Sequence, residues 1–380
     1  MTPERLNELL AAFPSRRVAV IGDFFLDKYL DFDPTLAEIS LETGKTANQV
    51  VGIRHNPGAA GNVVSNLASL GAESLTAIGF TGDDGEGYEL RQDLTALGCD
   101  TSHLHYTPER RTPTYLKPQN ILVPGLGGEE PRYDTKNRMP LPAEMEARII
   151  ESLNAVIGRV DAVLVIDQAD EANCGVLTDV VRDAVIEAGL AHPEIVFWTD
   201  SRQRAGLFRG TILKPNQFEA VKAAFDEANG TDGAIGRQGD GAKETDGVTR
   251  RGGDKALIDD EIVLRAGDFL VERNRRPVFL TRSEQGIMVF HDGAHELVPG
   301  FRVHGEIDPT GAGDTVTASA SLTLAAGGTL TEAAYLANLA ASITVQKLGV
   351  TGTASPDEMR QAYERAKEPP LSKGRQEGCI

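Results

Sequence analysis

Residues 142–199 read PAEMEARIIESLNAVIGRVDAVLVIDQADEANCGVLTDVVRDAVIEAGLAHPEIVFWT. A stretch with helical period, 142–156, leads into the short apolar run AVLVI at 162–166. A second helical stretch at 176–188 then leads into another β-branched run at 195–199. A strand that is apolar at every position is buried on both faces, and helices of this length between such strands are the crossovers of parallel βαβ units. The alternation continues in both directions. It predicts further strands at 17–22, 75–80, 211–213, 278–281 and 286–290, with helices at 61–70, 87–97, 314–326 and 331–347. The expected fold class is α/β: three layers, with a doubly wound, mainly parallel sheet between helices.

Two kinds of segment break the pattern. Residues 27–55 and 110–136 are polar and β-leaning without helical period, and are expected to form a small sheet at one edge that acts as a lid. Residues 226–256 are rich in glycine and charge and poor in large apolar side chains. Burial cannot offset their ordering entropy, so they are expected to be a flexible insertion. With no internal repeat and no shift in composition, residues 1–380 are expected to form a single domain.

Composition narrows the function. Lys+Arg 38 against Asp+Glu 56 gives a net charge of -18, which repels nucleic-acid backbones and anionic membranes. Cys99, Cys174 and Cys379 have no paired spacing and read as reduced thiols of a cytoplasmic protein. The start, MTPERLNELLAAF, lacks the apolar core of a signal peptide, and no apolar run reaches membrane-spanning length. Gly44-Lys45-Thr46 follows no strand and lacks the first glycine of a P-loop. The seven histidines show no metal-ligand spacing.

The chemistry concentrates in Asp308-Pro309-Thr310-Gly311-Ala312-Gly313-Asp314-Thr315, followed at once by the helix VTASASLTLAA. Two glycines allow a tight turn with successive N–H groups exposed, and the helix dipole adds positive potential, so the turn can hold an anion. Asp314 beside a bound phosphate can take the proton of an attacking alcohol; alternatively it is an ordinary first-turn acid. Asn56-Pro57-Gly58-Ala59-Ala60-Gly61-Asn62 brings backbone close to a ligand and offers Asn62 to a hydroxyl, or simply starts a helix with a small packing face. Gly22-Asp23 ends the first strand, where ligands of open α/β sheets sit, and Asp27 lies four residues on. In Lys214-Pro215-Asn216-Gln217-Phe218-Glu219, Glu219 either helps hold Mg2+ or closes a capping box with Asn216. Leu280-Thr281-Arg282-Ser283-Glu284-Gln285-Gly286 is a tight turn whose side chains could meet phosphates.

Together these motifs resemble the ribokinase or PfkB family of sugar kinases, in order and approximate spacing, from about residue 17 to 356. The resemblance implies a ribokinase-like fold with a β-sheet lid, and ATP and Mg2+ as cofactors. It makes Asp314 the base and Gly311, Ala312 and Gly313 the anion hole. Asp23, Asp27, Gly58 and Asn62 would grip the sugar, and Glu219 would stand near the metal with Asn216. Thr281, Arg282 and Gly286 would lie along the nucleotide, with Asn338 near the adenine. A monovalent cation near the anion hole and dimerisation through the lid are common in that family. Within it, GDFFLDKY, LTRSEQGIMVF and AASITVQKLGVTGTASP are similar to the heptose 7-phosphate kinase group, where Arg132 and Asp134 match a substrate-contacting pair. Where that group has DYxKG, this chain has Asp167-Gln168-Ala169-Asp170, an acid in place of the lysine. No HxGH-type nucleotidyltransferase motif follows residue 356. The expected activity is phosphoryl transfer from ATP to a sugar or sugar phosphate. The alternatives are a nucleoside or small-alcohol kinase of the same fold, and a sugar-binding protein without catalysis.

Overall fold

The computed structural model describes residues 1–228, 248–249, 257–349 and 351–367. In chain order the strands are β1 (Arg17–Gly22), β2 (Phe24–Ile39), β3 (Thr46–Ala59), β4 (Ser74–Gly82), β5 (Cys99–Asp100), β6 (Leu104–Thr107), β7 (Thr114–Asn120), β8 (Tyr133–Thr135), β9 (Ala162–Asp167), β10 (Val196–Ser201), β11 (Ile212–Leu213), β12 (Val248–Thr249), β13 (Leu257–Ile258), β14 (Val278–Thr281), β15 (Gly286–His291) and β16 (Ala294–Pro299). The helices are α1 (Pro3–Ala12), α2 (Ala60–Leu70), α3 (Gly85–Ala96), α4 (Ala143–Ile157), α5 (Asp179–Ala191), α6 (Gln217–Ala228), α7 (Asp260–Asn274), α8 (Ala312–Ala325), α9 (Leu330–Thr344) and α10 (Pro356–Lys367).

Among the described residues the large sheet runs β16-β15-β14-β11-β10-β9-β1-β4-β5, with β6 also on β4. Every pairing from β5 to β14 is parallel, and β15 and β16 close one edge antiparallel. Side chains alternate across it. Val18, Val20, Leu164 and Ile166 pack in one core beneath α2, α8 and α9, whereas Ala19, Ile21, Val163 and Val165 pack in a second beneath α4, α5 and α7. Two apolar faces require two helical layers, which gives the three-layer α/β/α architecture. The chain leaves β1 for β4 on one side and later places β9 on the other. The carboxyl ends of β1 and β9 therefore flank a topological switch point, where open α/β sheets hold their ligands.

A second, four-stranded sheet of order β3-β2-β7-β8 starts at that crevice. β2 leaves β1 after Asp23 and pairs antiparallel with β3 from Phe24↔Ala59 to Ile39↔Thr46, with register shifts after Asp31 and Asp33. Period 2 divides its side chains: Lys28 reaches Glu89 of α3 at 2.8 Å, while Asp27 and Tyr29 face the opposite way. Most of the expected insertion at 226–256 lies outside the described residues.

Candidate active site

The turn before α8 is built to hold a helix N-terminus open. Gly311 adopts φ +78°, and a Cβ there would sit 2.8 Å from Asn62 Nδ2 and 2.9 Å from Thr351 Cγ2. Asp308 is buried and braces the turn: its Oδ1 accepts from the Thr310 amide at 3.0 Å, and its own N–H donates to Val345 O at 2.8 Å. Of the expected Gly311–Ala312–Gly313 cradle, the Ala312 N–H is spent within the turn, on Pro309 O at 3.1 Å. The amide of Gly313 belongs to the first helical turn, which has no acceptors within the helix.

Asp314 stands in that turn, half-buried, and its Oδ2 accepts from Asn62 Nδ2 at 2.5 Å. Burial, then the nearby Asp200 carboxylate, push its pKa up to about 7, against the pull of Asn62, Lys214 and Arg202. A carboxyl so placed changes ionisation near neutral pH, as a general base should.

Behind the turn, Asn216 and Glu219 form a reciprocal capping box. Asn216 Oδ1 accepts from the Glu219 amide at 2.9 Å, and Glu219 Oε2 accepts from the Asn216 amide at 2.8 Å. Burial raises the Glu219 pKa, with Lys214 opposing. Thr281 pairs with this segment, its N–H donating to Pro215 O at 3.0 Å, so the 281–286 turn and the Asn216 cap share one edge.

Opposite the 308–311 turn lies the face of the small sheet. A cleft of about 280 Å³ is lined by Tyr29, Arg54, Lys117 and Gln119 from the strands and by Asp308, Thr310 and Thr351 from the α8 side. Lys117 Nζ stands 3.2 Å from Asp27 Oδ1, and a Cβ at Gly58 would lie 3.0 Å from Asp27 Oδ2. Farther along, Arg132 pairs with Asp134 at 2.9 Å and stacks on Tyr115.

The profile of pfkB family carbohydrate kinases matches residues 16–235 and 247–358. The chain belongs to this family. It is 33% identical over 348 residues to a bifunctional protein HldE of Pelobacter propionicus, covering 90% of this chain and 62% of the relative. It is 31% identical over 367 residues to another from Geotalea uraniireducens, covering 94% and 65%. The chain thus spans less than two thirds of the length of these relatives. By fold it is similar to Escherichia coli phosphofructokinase-2 in complex with fructose-6-phosphate, with TM-score 0.63, 18% identity, 93% of this chain and 100% of that one. It is also similar to Arabidopsis thaliana ribokinase complexed with ribose and ATP, with TM-score 0.60, 16% identity, 93% and 99%.

Other expected residues of this pfkB-family chain have structural partners. Asp23 accepts from the amides of Gln168 and Ala169 at 2.8 Å and of Val176 at 2.7 Å, so both its oxygens hold the loop after β9. Burial and neighbouring Asp167 still push its pKa up to about 6. Arg282 turns to Asp260 at the start of α7. Gly286 has φ +101°, and a Cβ would strike Val298 O at 2.2 Å, which accounts for the glycine by packing. Asn338 donates to Val298 O at 2.9 Å and Pro299 O at 3.2 Å. The acid at Asp170 is met at 2.7 Å by Lys136, which follows β8.

The sequence reading did not single out Lys117, Arg54, Asp200 or Lys214. For Asp200 and Lys214 a signal existed: each is a charge immediately after an apolar run, VFWT and TIL, at the carboxyl end where ligands bind. Lys117 and Arg54 gave no such signal, because only the register of β2 with β3 and β7 brings them beside Tyr29.

Proposed function

We propose that this carbohydrate kinase transfers the γ-phosphoryl group of ATP to a hydroxyl of a sugar or sugar phosphate seated between the small sheet and the α8 turn. The observation that carries the reading is Asp314, oriented by Asn62 at the head of α8 and titrating near neutrality. Asp314 accepts the proton of the acceptor hydroxyl, while the Gly313 amide and the dipole of α8 meet charge on the migrating phosphoryl. Donors of this kind are worth about 10²–10³ in rate and a base about 10²–10⁴. The small sheet acts as the lid, excluding water when it closes.

Mg2+ suits the oxygen-rich chemistry at this edge, because it keeps most of its waters and needs few protein ligands. Glu219 is the residue to hold it, directly or through water, beside the capping Asn216. Bound there, it would neutralise phosphate charge. Among the described residues no three acidic, histidine or cysteine side chains form a ready metal cage, which fits an ion carried in with the nucleotide. Heptose 7-phosphate is the candidate substrate, from the motif resemblance; Lys117 and Arg54 in the cleft supply cations for a phosphorylated sugar. The exposed apolar side chains Leu36, Ile39, Val50 and Ile53 on β2 and β3 support a homodimer through the small sheet. Buried, unpaired Cys99 and Cys174 accord with the cytoplasm, and no helix among the described residues is long and apolar enough to cross a membrane.

The test is substrate-dependent ADP release over a panel of heptose 7-phosphate, fructose 6-phosphate, ribose and nucleosides, with wild type and Asp314→Asn. At least a thousandfold loss of turnover is expected in the variant, with ATP affinity nearly unchanged. Undiminished turnover sinks the reading. Tight sugar binding without ADP formation by wild type would favour a binding protein.

A further inference from the structure

β11 ends in Leu213, and Lys214 follows it into the protein interior with 5 % exposure. A buried ammonium is costly unless an anion meets it. The anion is Asp200, also 5 % exposed, at the carboxyl end of β10, with 3.0 Å between Nζ and Oδ2. Thr317 Oγ1 donates to the same carboxylate oxygen at 3.1 Å, and Thr317 lies three residues beyond Asp314 on α8, on the same helix face. The pair is pressed against the phosphate-binding turn itself: a Cβ on Gly313 would lie 3.5 Å from Lys214 Nζ. A plain structural salt bridge has no need of such a place, and an apolar pair of similar volume would commonly be as stable there.

We propose that Lys214 and Asp200 are opposed positioning residues that set the ionisation of Asp314. The ammonium favours the carboxylate form of the base, and the Asp200 carboxylate disfavours it while holding the ammonium in place. The proposal rests on Asp314 being the base. The groups facing Asp314 come from every side of the site: Asn62 from α2, Asp200 and Arg202 from the end of β10, and Lys214 from the end of β11. Glu219 on α6 acts on Lys214. Burial tends to strip the lysine of its proton, yet Asp200, Glu219 and Asp314 together leave its pKa raised, so it stays cationic at neutral pH. Of the neighbours, Asp200 pushes Asp314 up, whereas Lys214 pulls it down.

The two residues therefore predict shifts of opposite sign. The pH profile of kcat/KM, measured as ADP release with MgATP and the best acceptor of the panel, should show an acid limb at about 7 in wild type. In Lys214→Met the limb should move up by about one unit, which is roughly a fivefold loss at pH 7 largely recovered at pH 9. In Asp200→Asn it should move down, with Glu219 and Asp314 left as anions for the lysine. Lys214→Arg keeps the charge and should leave the limb near its wild-type position. General damage to the fold lowers the plateau and cannot drive two limbs in opposite directions. Should Lys214→Met fail to fold, Asp200→Asn and Lys214→Arg still decide the matter. Limbs that stay put, or that shift the same way, overturn the proposal while leaving Asp314 as base. Turnover retained by Asp314→Asn overturns both.

Discussion

In the central sheet, β1 and β9 bury every residue except Arg17, whereas in the small sheet β2 and β3 leave most of their side chains half-buried or exposed. The first is held by two apolar cores. The second is held by its backbone ladder and by pairs across its strands: Arg54–Asp31 at 2.7 Å and Lys117–Asp27 at 3.2 Å. The Arg54–Asp31 pair, partly solvated, contributes about 0–1 kcal/mol. One sheet is thus fixed and carries Asp314, Lys214 and Glu219 at its edge; the other has fewer buried side chains and carries the polar face proposed above to meet the acceptor. Segments with few buried apolar contacts open at low cost, which is what a covering element needs. The comparison predicts that lesions in the central sheet act on stability, and lesions in the small sheet act on substrate affinity.

The largest effect should come from Phe279→Ala. Phe279 is fully buried on β14 with its ring 4.9 Å from that of Trp198, and truncating such a residue costs about 3–5 kcal/mol. Denaturant unfolding should show the loss, and a cost below about 1 kcal/mol would break the claim that the cores hold this sheet. Next comes Arg54→Met on β3. Its guanidinium lines the cleft, stacks on Tyr29 and pairs with an acid, so the stability change should stay within about 1 kcal/mol. Loss of a charged hydrogen bond to substrate, about 1.5–3 kcal/mol, should raise the acceptor KM tenfold or more. An unaltered KM would mean that the acceptor does not reach this face.

The same contrast explains what could be read from the sequence. Strands of the central sheet bury both faces, so their apolar runs at 17–22, 162–166 and 278–281 coincide with β1, β9 and β14 to within a residue. The helices α1, α7 and α10 were not among those expected, and α6 was foreseen only through the capping-box reading of Asn216 and Glu219; α7 and α10 have only a narrow buried stripe among many charges. In the site, Asp314 and Asn62 were legible because small residues precede them, and backbone that must approach a ligand has that local mark. Lys214 and Asp200 meet across two strands, and their partnership depends on the β10–β11 register, which no local pattern encodes. Asn216 and Glu219 allowed two readings, and the structure shows the capping box physically present at the place assigned to the metal. A cap and a ligand site are compatible, since a carboxylate has two oxygens.

The smallest predicted effect separates the two sheets by pH. A carboxyl whose folded pKa is raised binds its proton more tightly in the native state than in the unfolded chain. Asp314, at about 7 against an ordinary 3.8, therefore adds nothing against folding below about pH 4, and its penalty grows as pH rises and is complete above about 7. Asp314→Asn removes that penalty without removing volume. The variant should gain about 1 kcal/mol or more over wild type at pH 8, and the gain should fade towards pH 4, as followed by unfolding at several pH values. Arg54→Met has no such burden to relieve, and its stability difference should stay flat across the same window. A flat difference in Asp314→Asn as well would mean that Asp314 lies in water like any surface acid, and that the edge of the central sheet stores no such penalty.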